Sequence, residues 1–223
     1  MGRKEEIDRI KAVYSKRDKQ VNIVPGHYQQ AVKKEREELY RKRIERTGTD
    51  TATLKLLEIG AGTGTNIKFL KTLGFKDENI WANELMPVRV EQLRAALPDI
   101  HVLEGDALDI NTELEFDVIL QSTVFTSILD TAFKQGLASK MLGLLKPGGM
   151  ILWYDFRFNN PSNKNVKGID KREIRQLFGD GLKYEFYNIT LAPPVGRRVG
   201  SMYGFINMFF PFLRSHLVAV IRN

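Results

Sequence analysis

Glu58, Gly60, Gly62, Gly64 and Asn66 are the residues whose types and spacing point most directly to chemistry. They stand in Leu54-Lys55-Leu56-Leu57-Glu58-Ile59-Gly60-Ala61-Gly62-Thr63-Gly64-Thr65-Asn66, where an apolar run ends in an acid and a glycine-rich turn follows. The run 54–59 reads as a buried parallel strand. Ile67, Phe69, Leu70 and Leu73 have helical spacing, so the turn leads into a helix predicted to reach about residue 73. Glycine suits such a turn because the backbone bends sharply and a ligand can approach it closely. The helix start behind it offers unpaired N–H groups. A pyrophosphate site would read G-x-G-x-x-G. Here the glycines are spaced G-x-G-x-G and Thr65 follows. A carboxylate two residues before the first glycine disfavours a pyrophosphate, yet it can receive the ammonium of an amino acid. The alternative is a turn with no ligand.

A second acid, Glu84, lies twenty residues after Gly64 at the end of a predicted strand, 79–83. There it can accept hydrogen bonds from both hydroxyls of a ribose; its other reading is a solvent-facing loop carboxylate. The strand 101–104 runs into Gly105-Asp106-Ala107, and the strand 116–121 into Gln121-Ser122-Thr123. A fifth strand, Met150 to Asp155, opens into Trp153-Tyr154-Asp155-Phe156-Arg157-Phe158-Asn159-Asn160-Pro161, a polar and aromatic strand exit. Ligands of open α/β sheets bind beyond the carboxyl ends of strands. Tyr154, Arg157, Asn159, Asn160 and, from a later segment, Arg197 are therefore candidates for binding an acceptor. For a proton-accepting base the candidates are His27 and Asp155, since His101 and His216 open strands and read as structural. Asp155 as a turn cap and Asn-Pro as a plain loop start are the competing readings. No spacing of His and carboxylates argues for a metal.

The pattern E-x-G-x-G-x-G resembles motif I of the class I S-adenosylmethionine (SAM) methyltransferases. Three further segments resemble that family in order: Glu84 after the second strand, Gly105-Asp106-Ala107, and Leu144-Leu145-Lys146-Pro147-Gly148-Gly149 before the fifth strand. The resemblance covers residues 54–190 and 215–222. It implies SAM as cofactor, held by Glu58, Gly60, Ala61, Gly62, Thr63, Gly64 and Asn66. Glu84 and Leu85 would lie at its ribose, Asp106 and Ala107 at its adenine, and Gln121, Ser122 and Thr123 near its sulfonium. The chain as a whole is closest to small bacterial methyltransferase-domain proteins of the kind found near polysaccharide and secondary-metabolite clusters. That suggests O-methylation of a small, glycan or lipid-linked acceptor. The nucleobase amino-methyltransferase motif is not met, because the fourth strand ends in Gln-Ser-Thr and Pro161 precedes Ser162. Two rivals remain: a nucleic-acid (RNA) methyltransferase or binder, for which the sequence pI of 9.5 speaks, and a nicotinamide oxidoreductase on the same fold.

The elements that must position these residues follow from patterning. Helices alternate with strands, which predicts a Rossmann-like doubly wound sheet of seven strands, mostly parallel, with an antiparallel C-terminal edge. Helices are expected over 3–18 and about 28–46, with a loop at 19–27 between them. Residues 1–50 would then be a helical cap and 51–223 one globular methyltransferase-type domain. Its last strands, 183–190 and 216–222, are separated by an unusually long insert, 191–214. The insert carries Met202, Tyr203, Phe205, Ile206, Met208, Phe209, Phe210 and Phe212 with Arg197, Arg198 and Arg214. It reads as a buried covering helix, or else as a recognition surface for a lipid-linked or phosphate-bearing acceptor or a membrane.

Composition sets the outer bounds. The 223 residues are 43% hydrophobic, enough for one core. There is no cysteine, which excludes disulfides, thiolate ligands and Cys nucleophiles. The charged first residues are no signal peptide and no apolar stretch is long enough to span a bilayer. A cytoplasmic protein, or one at the inner face of the membrane, is expected. Residues 51–156 hold 9 basic and 14 acidic residues, whereas 157–223 hold 11 and 4 and 1–50 hold 14 and 9. An acidic centre between basic flanks favours an anionic acceptor if the flanks face it.

Overall fold

The computed structural model describes residues 2–18, 26–161 and 163–223. Two helices lead: α1 (Arg3–Asp18) and α2 (His27–Glu45). Most of the predicted loop between them, 19–25, lies outside the described residues, as does Ser162. The alternating part then runs β1 (Leu56–Ile59), α3 (Thr65–Lys71), β2 (Ile80–Glu84), α4 (Pro87–Ala96), β3 (His101–Glu104), β4 (Phe116–Ser122), α5 (Thr131–Gly143) and β5 (Leu145–Phe156). The chain closes with α6 (Lys171–Phe178), β6 (Lys183–Leu191), α7 (Pro193–Gly196), α8 (Tyr203–Phe209) and β7 (Arg214–Arg222).

These strands make one seven-stranded sheet of order β3-β2-β1-β4-β5-β7-β6. The first five pair in parallel, and β7 enters antiparallel between β5 and β6. The order reverses at β1, between β2 and β4, and this switch point opens a crevice at the carboxyl ends of the strands. Both faces of the central strands are apolar because helices cover both. One face packs Leu57, Ile59, Ile119 and Trp153 against α1, α5 and α6. The other packs Leu56, Ala82, Leu120 and Tyr154 against α2, α3 and α4.

Local chemistry sets several boundaries. Pro87 starts α4 at its first turn, where a missing N–H costs nothing. Asp130 caps α5 by accepting from the Phe133 N–H, and Asp170 caps α6 through Arg172 and Glu173. The predicted helix after the glycine turn ends at Lys71, and Gly74 takes up a left-handed φ of 105° just beyond. The Pro147-Gly148-Gly149 segment departs from the expected free turn. It is drawn into β5, and the register slips so that Phe116 faces Leu145 while Val118 faces Met150. A side chain at Gly149 would meet the Lys146 and Asp117 carbonyls at 2.8 and 3.0 Å, so the bulge needs glycine there.

The 191–214 insert is a correction to the reading of a buried cover. Its inner side does bury Tyr203, but Met202, Phe205, Met208, Phe209, Phe210 and Phe212 all face outward.

Candidate cofactor and acceptor site

A cavity of about 540 Å³ occupies the crevice beyond β1, β2 and β4. Its floor is the glycine turn. Gly60, Gly62 and Gly64 all have left-handed φ, 67°, 59° and 79°. At Gly60 a Cβ would strike Val124 at 2.5 Å, and at Gly64 it would strike Leu97 and Leu93 at 2.6 and 2.9 Å. The turn thus lies tight against α4 and against the loop after β4, a fit that only glycine permits. Gly62 donates its N–H to Glu84 Oε2 at 2.7 Å, and Met86 donates to Glu84 Oε1 at 2.8 Å. Glu84 is 4% exposed yet lines the cavity. Each of its oxygens keeps a further lone pair for a ligand hydroxyl.

Gly60, Ala61, Gly62, Thr63, Asn66, Glu84, Leu85, Asp106, Ala107, Ser122 and Thr123 are brought together on the cavity wall. Thr123 has a φ of 61°, uncommon for a residue with a side chain, and its N–H donates to the Tyr154 carbonyl at 2.8 Å. Strain of this kind collects where a structure must aim a group. Gly64 sits behind the wall as the cap of α3. Gln121 is fully buried behind it and accepts from the Val124 N–H.

Glu58 is not among the residues on the cavity wall. It is 1% exposed and accepts from Asn66 Nδ2 at 2.6 Å. Asn66 in turn accepts from Arg36 of α2 at 2.9 Å and presents its amide on the wall. Glu58 Oε2 is buried without a partner. Burial pushes the Glu58 pKa up to about 8, against the opposing pull of Asn66 and Arg36. Its role is to hold Asn66 from behind.

Other predicted residues are also placed away from the cavity. Asp155 is fully buried on the α5 side, where the Thr126 hydroxyl donates to it. Burial raises its pKa to about 7 and the Thr126 bonds only moderate this. It is not on the cavity wall, and the same holds for His27, which is exposed at the first residue of α2. Tyr154 lies on the opposite face, buried between His216, stacked at 5.1 Å, and the Arg36 guanidinium at 5.0 Å. His216 is held well below its ordinary pKa, to about 4, by burial and by Arg36. Arg157 lies over Phe158, Asn159 accepts from the Gly168 N–H, and the Asn160 carbonyl accepts from Asn163. Arg197 is exposed after α7. None of these five acceptor candidates lines the cavity.

The family resemblance implied a helical cap over the pocket; what sequence reasoning did not name is which side chains form it. Ile10, Tyr14 and Arg17 of α1 close the cavity together with Arg89 of α4. Tyr14 donates to or accepts from Ser127 Oγ at 2.9 Å. The guanidiniums of Arg89 and Arg17 lie over its ring at 4.7 and 5.9 Å. The helix is pinned at its first residue and at its middle. Arg3 bonds Asp106 at 2.7 Å and pairs with Asp109, and Arg9 holds Glu6 and the Ser127 carbonyl. Burial opposes ionisation of Glu6, but Arg9 and the Leu129 N–H outweigh it and keep the carboxyl below its ordinary pKa. Asp106, expected at an adenine amine, is thus shared with Arg3 and with the Leu108 N–H. The helical spacing of Ile10 and Tyr14 signalled a packed face, and the resemblance implied that the leading helices cap the pocket; neither singled out Arg17 or Arg89.

The comparisons with known proteins agree with this geometry. Residues 56–149 match the methyltransferase domain family, and this segment holds the glycine turn, Glu84 and the Asp106 turn. Residues 56–149 are thus similar to a methyltransferase domain. No curated protein sequence matches it. Solved structures share the fold at low identity. Magnesium protoporphyrin IX methyltransferase from Synechocystis PCC 6803, with bound SAM, superposes with a TM-score of 0.67 at 12% identity, covering 97% of this chain and 94% of that one. A SAM-dependent methyltransferase from Clostridium acetobutylicum gives 0.61 at 12%, covering 86% and 91%. An amino pentose methyltransferase from Micromonospora echinaspora gives 0.59 at 14%, covering 92% and 100%.

SAM is the cofactor that the matched domain and the glycine turn imply, and the cavity fits it. About 540 Å³ is within the range of sites for ligands of that size. The backbone cradle leaves no room for side chains at Gly60 and Gly64, and the Glu84 carboxylate suits a ribose. When bound, the cofactor supplies an electrophilic methyl on a sulfonium. The chain's part is to hold Gly62 and Glu84 in register, to present Asn66 and to exclude water under α1. Among the described residues no group of three or more His, Asp or Glu side chains is placed to hold a metal.

Proposed function

We propose that the chain is a SAM-dependent methyltransferase and that it acts on an oxygen that is already anionic, such as a carboxylate or an acidic hydroxyl of a small, glycan or lipid-linked acceptor. The observation that carries this reading is the pair of guanidiniums, Arg17 and Arg89, at the Tyr14 ring on the cavity wall. They favour a negatively charged acceptor. A neutral hydroxyl would also need a base. Among the described residues that line the cavity there is no His or Lys, and the carboxylates Glu84 and Asp106 are engaged by backbone N–H groups and Arg3. An ionised oxygen brings its own electron pair to the methyl and requires no such base. Among proteins of similar fold, the amino pentose methyltransferase gives precedent for a sugar-derived acceptor.

The test is transfer of labelled methyl from SAM into fractions of host extract, followed by mild alkali. Label in glycan, lipid or small-molecule fractions that alkali releases as methanol supports a carboxylate acceptor, and alkali-stable label there supports an acidic hydroxyl. Label confined to nucleic acid would overturn the reading of the acceptor and leave the cofactor site standing.

A further inference from the structure

Eight large apolar side chains are strongly exposed among the described residues, and six of them fall between 202 and 212: Met202, Phe205, Met208, Phe209, Phe210 and Phe212. Phe212 is 72% exposed and Met208 63%. Such a concentration on one surface marks an interaction site. The segment is also firmly built. The Tyr203 hydroxyl donates to Glu35 Oε2 at 2.9 Å, and Asn207 Nδ2 donates to Glu35 Oε1 at 2.7 Å. Arg214 then donates to the Asn207 side chain and carbonyl at 3.0 and 2.7 Å. The polar residues of α8 therefore face the protein and its apolar residues face out, the reverse of a helix that covers a core. Phe205 and Phe209 pack together at 4.6 Å, and Phe210 and Phe212 at 5.9 Å, so the exposed rings form two adjacent pairs, here called the ridge.

We infer that this ridge seats the protein on an anionic lipid surface, with α8 and residues 210–212 entering the headgroup region. Charge selects that occupant. No Asp or Glu occurs from residue 186 to residue 223, while Arg197 and Arg198 are exposed just before the ridge. Phenylalanine and methionine beside arginine suit the boundary between acyl chains and anionic headgroups. A second copy of the chain is a poorer partner, because a two-fold contact would bring the same cationic surfaces together with no acid in the segment to offset them. The inference is separate from the choice of acceptor.

The test is flotation of the full chain with vesicles of phosphatidylcholine, with and without phosphatidylglycerol, which contain no methyl acceptor. We expect the protein to float with the anionic vesicles, about tenfold less with the neutral ones, and less at high salt. The triple variant Phe205→Ser, Phe209→Ser, Phe212→Ser should lose flotation while binding S-adenosylhomocysteine as the wild type does, a control for folding. Arg197→Ala with Arg198→Ala should weaken flotation about tenfold. Failure of the wild type to float, or undiminished flotation of the triple variant, would overturn the inference. A wild-type dimer that the triple variant dissolves, with no vesicle binding, would instead assign the ridge to a second copy.

Discussion

The two ends of the sheet are built by different means. At β1–β2–β3 the backbone does the holding. Left-handed glycines, a capped helix and a carboxylate braced by two backbone N–H groups define the cavity floor. At β5–β7–β6 side chains carry the distinctive features: the Arg36–Tyr154–His216 stack, the Glu35–Tyr203–Asn207 cluster and the outward ridge of α8. A backbone site tolerates few sequences and serves one cofactor. A side-chain surface can change residue by residue, as an acceptor or docking surface must. Helix α2 joins the two, since Glu35 holds α8 while its neighbour Arg36 holds Asn66 on the cavity wall.

The contrast can be broken or sharpened by substitution. The largest effect is expected at Gly64→Ala, where the new Cβ meets Leu97 and Leu93 at under 3 Å with a left-handed φ. We expect a loss of about 2–3 kcal/mol in thermal unfolding together with loss of S-adenosylhomocysteine binding. Glu84→Ala should fold but bind that ligand about tenfold to hundredfold more weakly by calorimetry, because the braces on Gly62 and Met86 go with it. Arg17→Ala or Arg89→Ala should raise the KM for an anionic acceptor by about fivefold and leave cofactor affinity nearly unchanged.

A smaller effect reads the buried acid behind the turn. Folded Glu58 has its pKa raised from 4.5 to about 8, so the folded state binds more protons than the unfolded between those values. Stability must then fall as pH rises through that window. Glu58→Gln should remove that part of the slope in denaturant titrations from pH 5 to 8. Least of all, the triple serine variant of the ridge should change unfolding free energy by no more than about 0.5 kcal/mol, as exposed residues do. A large loss there would mean that the ridge is packed in solution.

The same contrast explains what the sequence revealed. The strand β3 has the predicted bounds, and β1, β2 and β4 differ by one or two residues, because apolar runs fix them locally. The glycine turn and Glu84 were readable since backbone shape demands those residue types at those positions. Asp155 and His27 were not, because proximity in sequence to a strand end does not say which face a side chain takes. Asp155 alternates onto the α5 side and Tyr154 onto the α2 side, and both are buried. The roof over the cavity came from Tyr14 and Arg17, whose partners Ser127 and Arg89 are more than seventy residues away in the chain. The insert's aromatic residues announced burial by composition, yet the inward hydrogen bonds of Tyr203 and Asn207 turn them outward.

The central claim is that the cavity beneath α1 holds SAM through the glycine turn and Glu84. Calorimetric titration of S-adenosylhomocysteine and, separately, NAD into the wild type and into Glu84→Ala tests it most directly. The account predicts one S-adenosylhomocysteine site on the wild type, markedly weakened in the variant, with no heat from NAD. Binding of NAD alone, or equal S-adenosylhomocysteine affinity in the two proteins, would contradict it.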